Sequence, residues 1–139
     1  MIHSKDYNFS FSGLKTAVLY LVRDLQQAGH SIKKLRPAIA REFQDAIVEV
    51  LVKKTIRAAK EYNVKSIILG GGVAANQQLR KNLANAVNEE LPDSKFYAPD
   101  SSVTGDNALM IAESALLRTR QAKKTSWKSI RPHATMKLE

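Results

Sequence analysis

The chain has no cysteine, which excludes disulfides, thiol catalysis and thiolate metal sites and fits a reducing compartment. No apolar run approaches the ~18 residues a membrane span requires. The opening MIHSKDYNFSFSG lacks the apolar core of an export signal. A cytoplasmic protein with no membrane partner is the resulting expectation. The three histidines are His3, His30 and His133, and no two have the i, i+4 spacing that puts two imidazoles on one helix face. There is no Gly-x-Ser-x-Gly elbow, and no Gly-Lys-Ser/Thr follows the glycines. The sequence therefore offers no nucleophile–base pair and no P-loop, and no catalytic residue is assigned.

Acidic residues are also few: 13 Asp and Glu face 22 Lys and Arg in 139 residues, a formal net charge of +9. A polyanion such as nucleic acid suits that excess. It concentrates at the end, where Arg118, Arg120, Lys123, Lys124, Lys128, Arg131 and Lys137 oppose Glu139 alone, with Trp127 among them. Phosphate contact with stacking is one reading; a solvated tail with a packed Trp127 is the other. The expected division is 1–120 as one lobe portion and 121–139 as a basic tail.

Asn8 to Ser12 alternate polar and aromatic, with Phe9 and Phe11 on one side, which predicts a short strand ended by Gly13. A helix follows from about Leu14 to Ala28, with Leu14, Ala17, Val18, Leu21, Val22 and Leu25 as its apolar stripe and Gly29 as its stop. Pro37 suits the first turn of a second helix that reaches about Tyr62. Ile39, Phe43, Ala46, Ile47, Val50, Leu51 and Ala58 are expected inward, and Arg41, Glu42, Asp45, Glu49, Lys53 and Arg57 outward. SIILGG reads as a strand buried on both faces, Asn76–Glu90 as a helix with Leu79, Leu83, Ala86 and Val87 inward, and KFYAP as another strand. A last helix, about Asn107 to Arg120, would bury Ala108, Ile111, Ala112, Ala115 and Leu116. This order implies an α/β fold of short parallel strands joined by helical crossovers. Three strands make a thin sheet, so part of it is expected to come from elsewhere.

In open parallel sheets ligands collect beyond the C-terminal strand ends. Two loops converge there, GGGVAAN and PDSSVTGDN, both leading into helix N-termini that offer unpaired N–H groups to phosphate. Gly70, Gly71 and Gly72 would let a nucleotide lie against the backbone. Asn76 could contact a ribose or phosphate oxygen, or cap the helix, or both. Asp106 could cap the last helix or ligate a metal. Gly70, Gly72 and Ala75 also satisfy a dinucleotide fingerprint, but its ribose-binding acid would fall at Glu89 or Glu90, inside a helix, so the spacing is poor.

Three segments, FSFSGLKTAV (9–18), GGVAANQQLR (71–80) and DNALMIAESA (106–115), together with the SIRPHATM ending, resemble the C-terminal part of the tRNA threonylcarbamoyladenosine transferases. The resemblance covers nearly all of this chain and roughly two-fifths of a family member. Met1 then looks like an internal methionine and the chain like a fragment. The resemblance implies the two-lobed fold of actin-like (RNase H-like) ATPases. It also implies transfer of threonylcarbamoyl from threonylcarbamoyl-adenylate to N6 of adenosine 37 in tRNA. Asn76 matches the asparagine that contacts the adenylate, and Gly70, Gly71 and Gly72 its close-approach loop. Asp106 matches a carboxylate that helps hold one divalent metal, iron, shared with a His-x-x-x-His pair absent from this chain. The family commonly reads Thr-Asp-Asn at that loop; this chain reads Thr104-Gly105-Asp106-Asn107. The implied partners are tRNA, threonylcarbamoyl-adenylate, and either proteins of a modification complex or the missing N-terminal portion. A non-enzymatic binding lobe and another actin-like phosphotransferase are the rival readings.

Overall fold

The computed structural model describes residues 2, 4–105, 108–118, 126 and 128. The chain divides into two units, Met1–Gly105 and Asp106–Glu139. Of the expected tail at 121–139, only Ser126 and Lys128 are described. Among the described residues no helix is long and apolar enough to cross a membrane.

The expected strand at Asn8–Ser12 does not form. Phe9 and Phe11 do share a side, their rings stacked at 6.3 Å, but helix α1, Ser12–Gln27, already begins at Ser12 and includes Gly13. The Asn8 carbonyl, and those of Ser4 and Asp6 before it, are taken by side chains of the second helix. Arg57 Nη1 donates to the Ser4 carbonyl at 2.8 Å and Nη2 to that of Asp6 at 2.5 Å, while Lys54 Nζ donates to that of Asn8 at 2.7 Å. Residues 4–9 therefore form a strap along that helix. No α1 residue is buried; Leu14, Val18, Val22 and Leu25 are half-buried and Leu21 is exposed, so the apolar stripe is narrower than its pattern suggests. Gly29, at φ +79°, ends α1 as expected: its own N–H reaches the Gln26 carbonyl and that of His30 the Leu25 carbonyl.

Helix α2, Ile32–Glu61, spans 30 residues, roughly 45 Å at 1.5 Å per residue. Pro37 falls in its second turn, not its first, because the helix starts at Ile32 with Ser31 as N-cap. Proline carries no N–H, so position 37 makes no i−4 bond to the Lys33 carbonyl. Asn63, at φ +46°, repeats the left-handed stop of α1, with Val64 N–H on the Ala59 carbonyl. Burial along α2 departs from a single stripe: Val48, Val50, Lys54, Ile56 and Ala59 are buried, and only Val50 was expected. Asp45 and Arg57, read as solvent-facing, are half-buried. The cause is that α2 packs on both α1 and α3, so it has more than one inner face.

Strand β1, Ser66–Ile68, pairs in parallel with β2, Lys95–Tyr97, in the register Ser66–Lys95, Ile67–Phe96, Ile68–Tyr97. Between them lie a 3-10 turn, Gly72–Ala75, and α3, Gln77–Glu90, so the crossover is helical as parallel pairing demands. Leu79, Leu83 and Val87 of α3 are buried, and Leu79 and Leu83 pack with Val48, flanked by Leu51, Leu69 and Phe96. Among the described residues the sheet has two strands. Only one of its faces is covered: Ile67 and Phe96 are half-buried, whereas Ile68 is 77% exposed and Tyr97 51%. This corrects the expectation of a strand buried on both sides: helices cover the face of Ile67, Leu69 and Phe96, and strand alternation turns Ile68 and Tyr97 away from them.

In the second unit, α4 runs Ala108–Arg118. All its residues are exposed, including Ile111 and Leu116, which were expected inward. Periodicity marked an apolar face, but such a face can only be buried by a neighbour, and helical spacing does not supply one.

Candidate functional site

Parallel neighbours end on the same side of a sheet, and Leu69 N–H on the Tyr97 carbonyl at 2.8 Å continues the pairing past the strand ends. The glycine turn and the Asp100–Thr104 loop therefore leave from one edge, as the strand order implied. Gly71 has φ +81° and ψ 173°, a backbone state essentially confined to glycine. Gly70, Gly71 and Gly72 are all exposed, with nothing within 4 Å of where a Cβ would stand. Their backbone is thus open to an incoming group. Ala74, fully buried, pins the turn to the body of the unit.

Asn76 is the N-cap of α3: its Oδ1 accepts from the Leu79 N–H at 2.9 Å. Its Nδ2 donates to Gln44 Oε1 at 3.1 Å. Gln44 Nε2 in turn donates to Gln78 Oε1, and Gln78 Nε2 to Asp45 Oδ1. Arg41 adds an ion pair to Asp45 at 3.8 Å. Beside this relay lies a cavity of about 290 Å³ whose apolar lining includes Phe43, Ile47, Val73 and Leu79, with the Gln44 and Asn76 amides as its polar groups. An apolar hollow with few convergent polar groups has the make-up of a small-molecule site.

Arg80 belongs to the first turn of α3. Its Nε donates to the Ala74 carbonyl at the end of the glycine turn, and its Nη2 is buried without a hydrogen-bond partner. Asp100 caps the short 3-10 turn Ser101–Val103. The Ser102 N–H at 2.9 Å and the Ser102 hydroxyl at 2.7 Å, helped by the charge of Arg80, hold its carboxyl below the usual range. Thr104 is buried, its hydroxyl donating to the Ser101 carbonyl. Asp106 lies outside the described residues. Among those described, no three His, Asp or Glu side chains could together hold a metal ion, so by themselves they do not fit a metal centre.

A second hollow, about 340 Å³, lies between the strap, α2 and the start of β1, lined by Tyr7, Phe9, Lys54, Ala58, Tyr62 and Ile67. Its Lys54 and Tyr7 groups are engaged. Lys54 Nζ donates to Ser4 Oγ, Asp6 Oδ1 and the Asn8 carbonyl and stands 5.5 Å from the Phe9 ring centre. The Tyr7 hydroxyl donates to Glu61. This hollow lies under the strap, and its lining does not include the glycine turn.

The sequence signalled the glycine turn and the Asn76 helix cap, but not the Gln44, Asp45, Gln78 and Arg80 side chains around them. Gln44 lies 32 positions from its partner Asn76, and no local spacing signals a pairing over that distance.

These features define a parallel α/β unit that presents an open glycine turn and a capped helix at the C-terminal strand edge, the place where such proteins take ligands. A family model described as TsaD, tRNA N6-adenosine threonylcarbamoyltransferase, matches residues 1–113. Curated relatives of that name agree. That of Listeria welshimeri is 44% identical over 127 residues, covering 91% of this chain and 36% of the relative. That of Enterococcus faecalis is 42% identical over 121 residues, 87% of this chain and 34% of the relative. That of Fervidobacterium nodosum is 43% identical over 123 residues, 88% and 35%. The chain belongs to the tRNA N6-adenosine threonylcarbamoyltransferase family. It spans about a third of the length of the curated relatives it matches.

Proposed function

We propose that this chain supplies one wall of an adenylate cleft for threonylcarbamoyl transfer to tRNA, within the actin-like fold that the resemblance implies. The observation that carries the reading is the open backbone of Gly70–Gly72 leading through one short turn to Asn76, the N-cap of α3. In the reaction, N6 of adenosine 37 attacks the carbamoyl carbon of threonylcarbamoyl-adenylate. The bond from that carbon to the phosphate oxygen breaks, AMP leaves and one N6 proton is lost to solvent. Backbone N–H groups of the glycine turn and the Asn76 amide hold the adenylate, so the chain contributes positioning and charge stabilisation rather than a nucleophile. The excess positive charge suits the tRNA. Asp106 is the carboxylate this chain would bring to a shared metal, iron by resemblance. The uncovered sheet face of Ile68 and Tyr97 is where the rest of a family member, or a partner protein, completes the layer.

Titration of the ¹⁵N-labelled chain with AMP tests the binding role. Shifts concentrated at 70–72 and at Asn76 are expected; shifts elsewhere, or none, refute it. Supplied with threonylcarbamoyl-adenylate and unmodified tRNA, the chain alone should transfer little or nothing. Robust transfer would contradict its role as one wall. The relatives extend well beyond the matched segment, which favours a second reading, a tRNA- or partner-binding lobe without chemistry of its own. That reading predicts tRNA binding without AMP binding.

A further inference from the structure

We propose that Gln44 is a positioning residue for Asn76, the middle of an amide relay that fixes which hydrogen-bonding group Asn76 presents to its ligand. The proposal rests on the adenylate reading of the glycine turn and adds a residue to it. The relay runs from the Leu79 N–H through Asn76, Gln44 and Gln78 to Asp45. An amide side chain can be turned end for end, exchanging donor and acceptor. The two ends of this relay cannot. A backbone N–H only donates, and a carboxylate only accepts. Between such ends three amides have one consistent direction: each oxygen faces the Leu79 end and each nitrogen the Asp45 end. Reversing any one would set oxygen against oxygen or nitrogen against nitrogen at two junctions.

The consequence for Asn76 follows from counting its groups. The amide has two N–H donors and two acceptor lone pairs. The helix cap uses one lone pair, and Gln44 uses one N–H. With both ends of the amide plane tied, one N–H and one lone pair remain, and their directions are set. Gln44 and Asn76 also line the same cavity, so the orientation is set at the wall where a ligand would meet it. A cap alone would hold the oxygen and leave the amide plane free to rock about it. Gln44 removes that freedom before binding, which is preorganisation.

The substitutions that separate this role from a structural one differ in what they offer Asn76. Gln44→Leu removes the acceptor. Gln44→Glu keeps an oxygen for Asn76 Nδ2 but no longer donates to Gln78. The readouts are exchange of the Asn76 side-chain NH₂, protection of the Leu79 amide, and affinity for AMP, all on the chain itself. In Gln44→Leu, Asn76 NH₂ exchange should quicken and AMP affinity fall about tenfold, the worth of one hydrogen bond to a charged group. Leu79 should stay protected, showing that the cap and the fold survive. Gln44→Glu should restore Asn76 NH₂ exchange to within about threefold of the parent. Unchanged Asn76 exchange or unchanged AMP affinity in Gln44→Leu, or Asn76 exchange equally fast in the two variants, would overturn the proposal. If AMP fails to shift 70–72 and Asn76 in the parent, the adenylate reading fails, and with it Gln44's bearing on a ligand. If AMP shifts them but Asn76 ignores Gln44, only this inference fails.

Discussion

Helix α2 holds its neighbours at two places with different chemistry. Toward its C-terminal end the grip is charged: Lys54, its side chain 1% exposed, and Arg57 bind the strap, and Glu61 accepts from Tyr7. In its first half the grip is made by amides, Gln44 meeting Asn76 and Gln78. The charged grip is strong and tolerant of direction, because an ammonium donates to any acceptor around it. The amide grip is weaker and directional. One suits fastening a segment, the other suits aiming a side chain.

The largest expected effect comes from breaking the charged grip. Lys54→Met should cost about 3 kcal/mol, since three acceptors lose a buried charged donor. The fall in urea midpoint measures it, and cleavage within 4–9 under limited proteolysis should report strap release. Gly71→Ala should come next, about 2 kcal/mol, because its backbone state strains any Cβ. Gly70→Ala and Gly72→Ala should stay within about 0.5 kcal/mol, neither having a positive φ nor a close neighbour. Equal costs at all three glycines would show that space, not backbone geometry, governs the turn. On the amide side, Asn76→Ala should cost about 1 kcal/mol. Asn76→Asp should cost less in stability, since it keeps the cap, yet should lose AMP affinity because it turns an oxygen toward Gln44 Oε1.

The smallest effects are pH-dependent. Lys54 first, then Ser4, lowers the pKa of Asp6, and Ser102 lowers that of Asp100. A depressed carboxyl contributes stability that is present above its unfolded pKa and lost as pH falls through its folded value. The contribution of Asp6 to the strap should therefore fade as pH falls from the ordinary carboxylate value through the lowered Asp6 one. Tyr7 is raised by its hydrogen bond to Glu61; its contribution is complete below the unfolded tyrosine value and fades as pH rises through the folded one. Tyr7→Phe should flatten that alkaline limb and leave the acid limb unchanged in pH-dependent melting.

The helix stops were legible because they are local: at Gly29, φ +79°, α1 closes with the Gly29 N–H on the Gln26 carbonyl and the His30 N–H on that of Leu25. The Asn76 cap and the α3 stripe were legible for the same reason. The strand expected at Asn8–Ser12 was misread because alternation at Phe9 and Phe11 mimics one, while the Lys54 that takes the Asn8 carbonyl lies 46 positions away. Lys54 was invisible as a core residue because burial of a lysine depends wholly on the acceptors gathered around it.

Sequence alone determined the family, the parallel β–α–β order, the glycine turn and the capped helix, since each rests on interactions within a few residues or on the order of motifs. Tertiary structure decided which faces found cover, that residues 4–9 became a strap, and that Gln44 reaches Asn76. Those outcomes depend on where α2 lies against α1, α3 and the strap, and packing between distant segments leaves no periodic trace in any one of them.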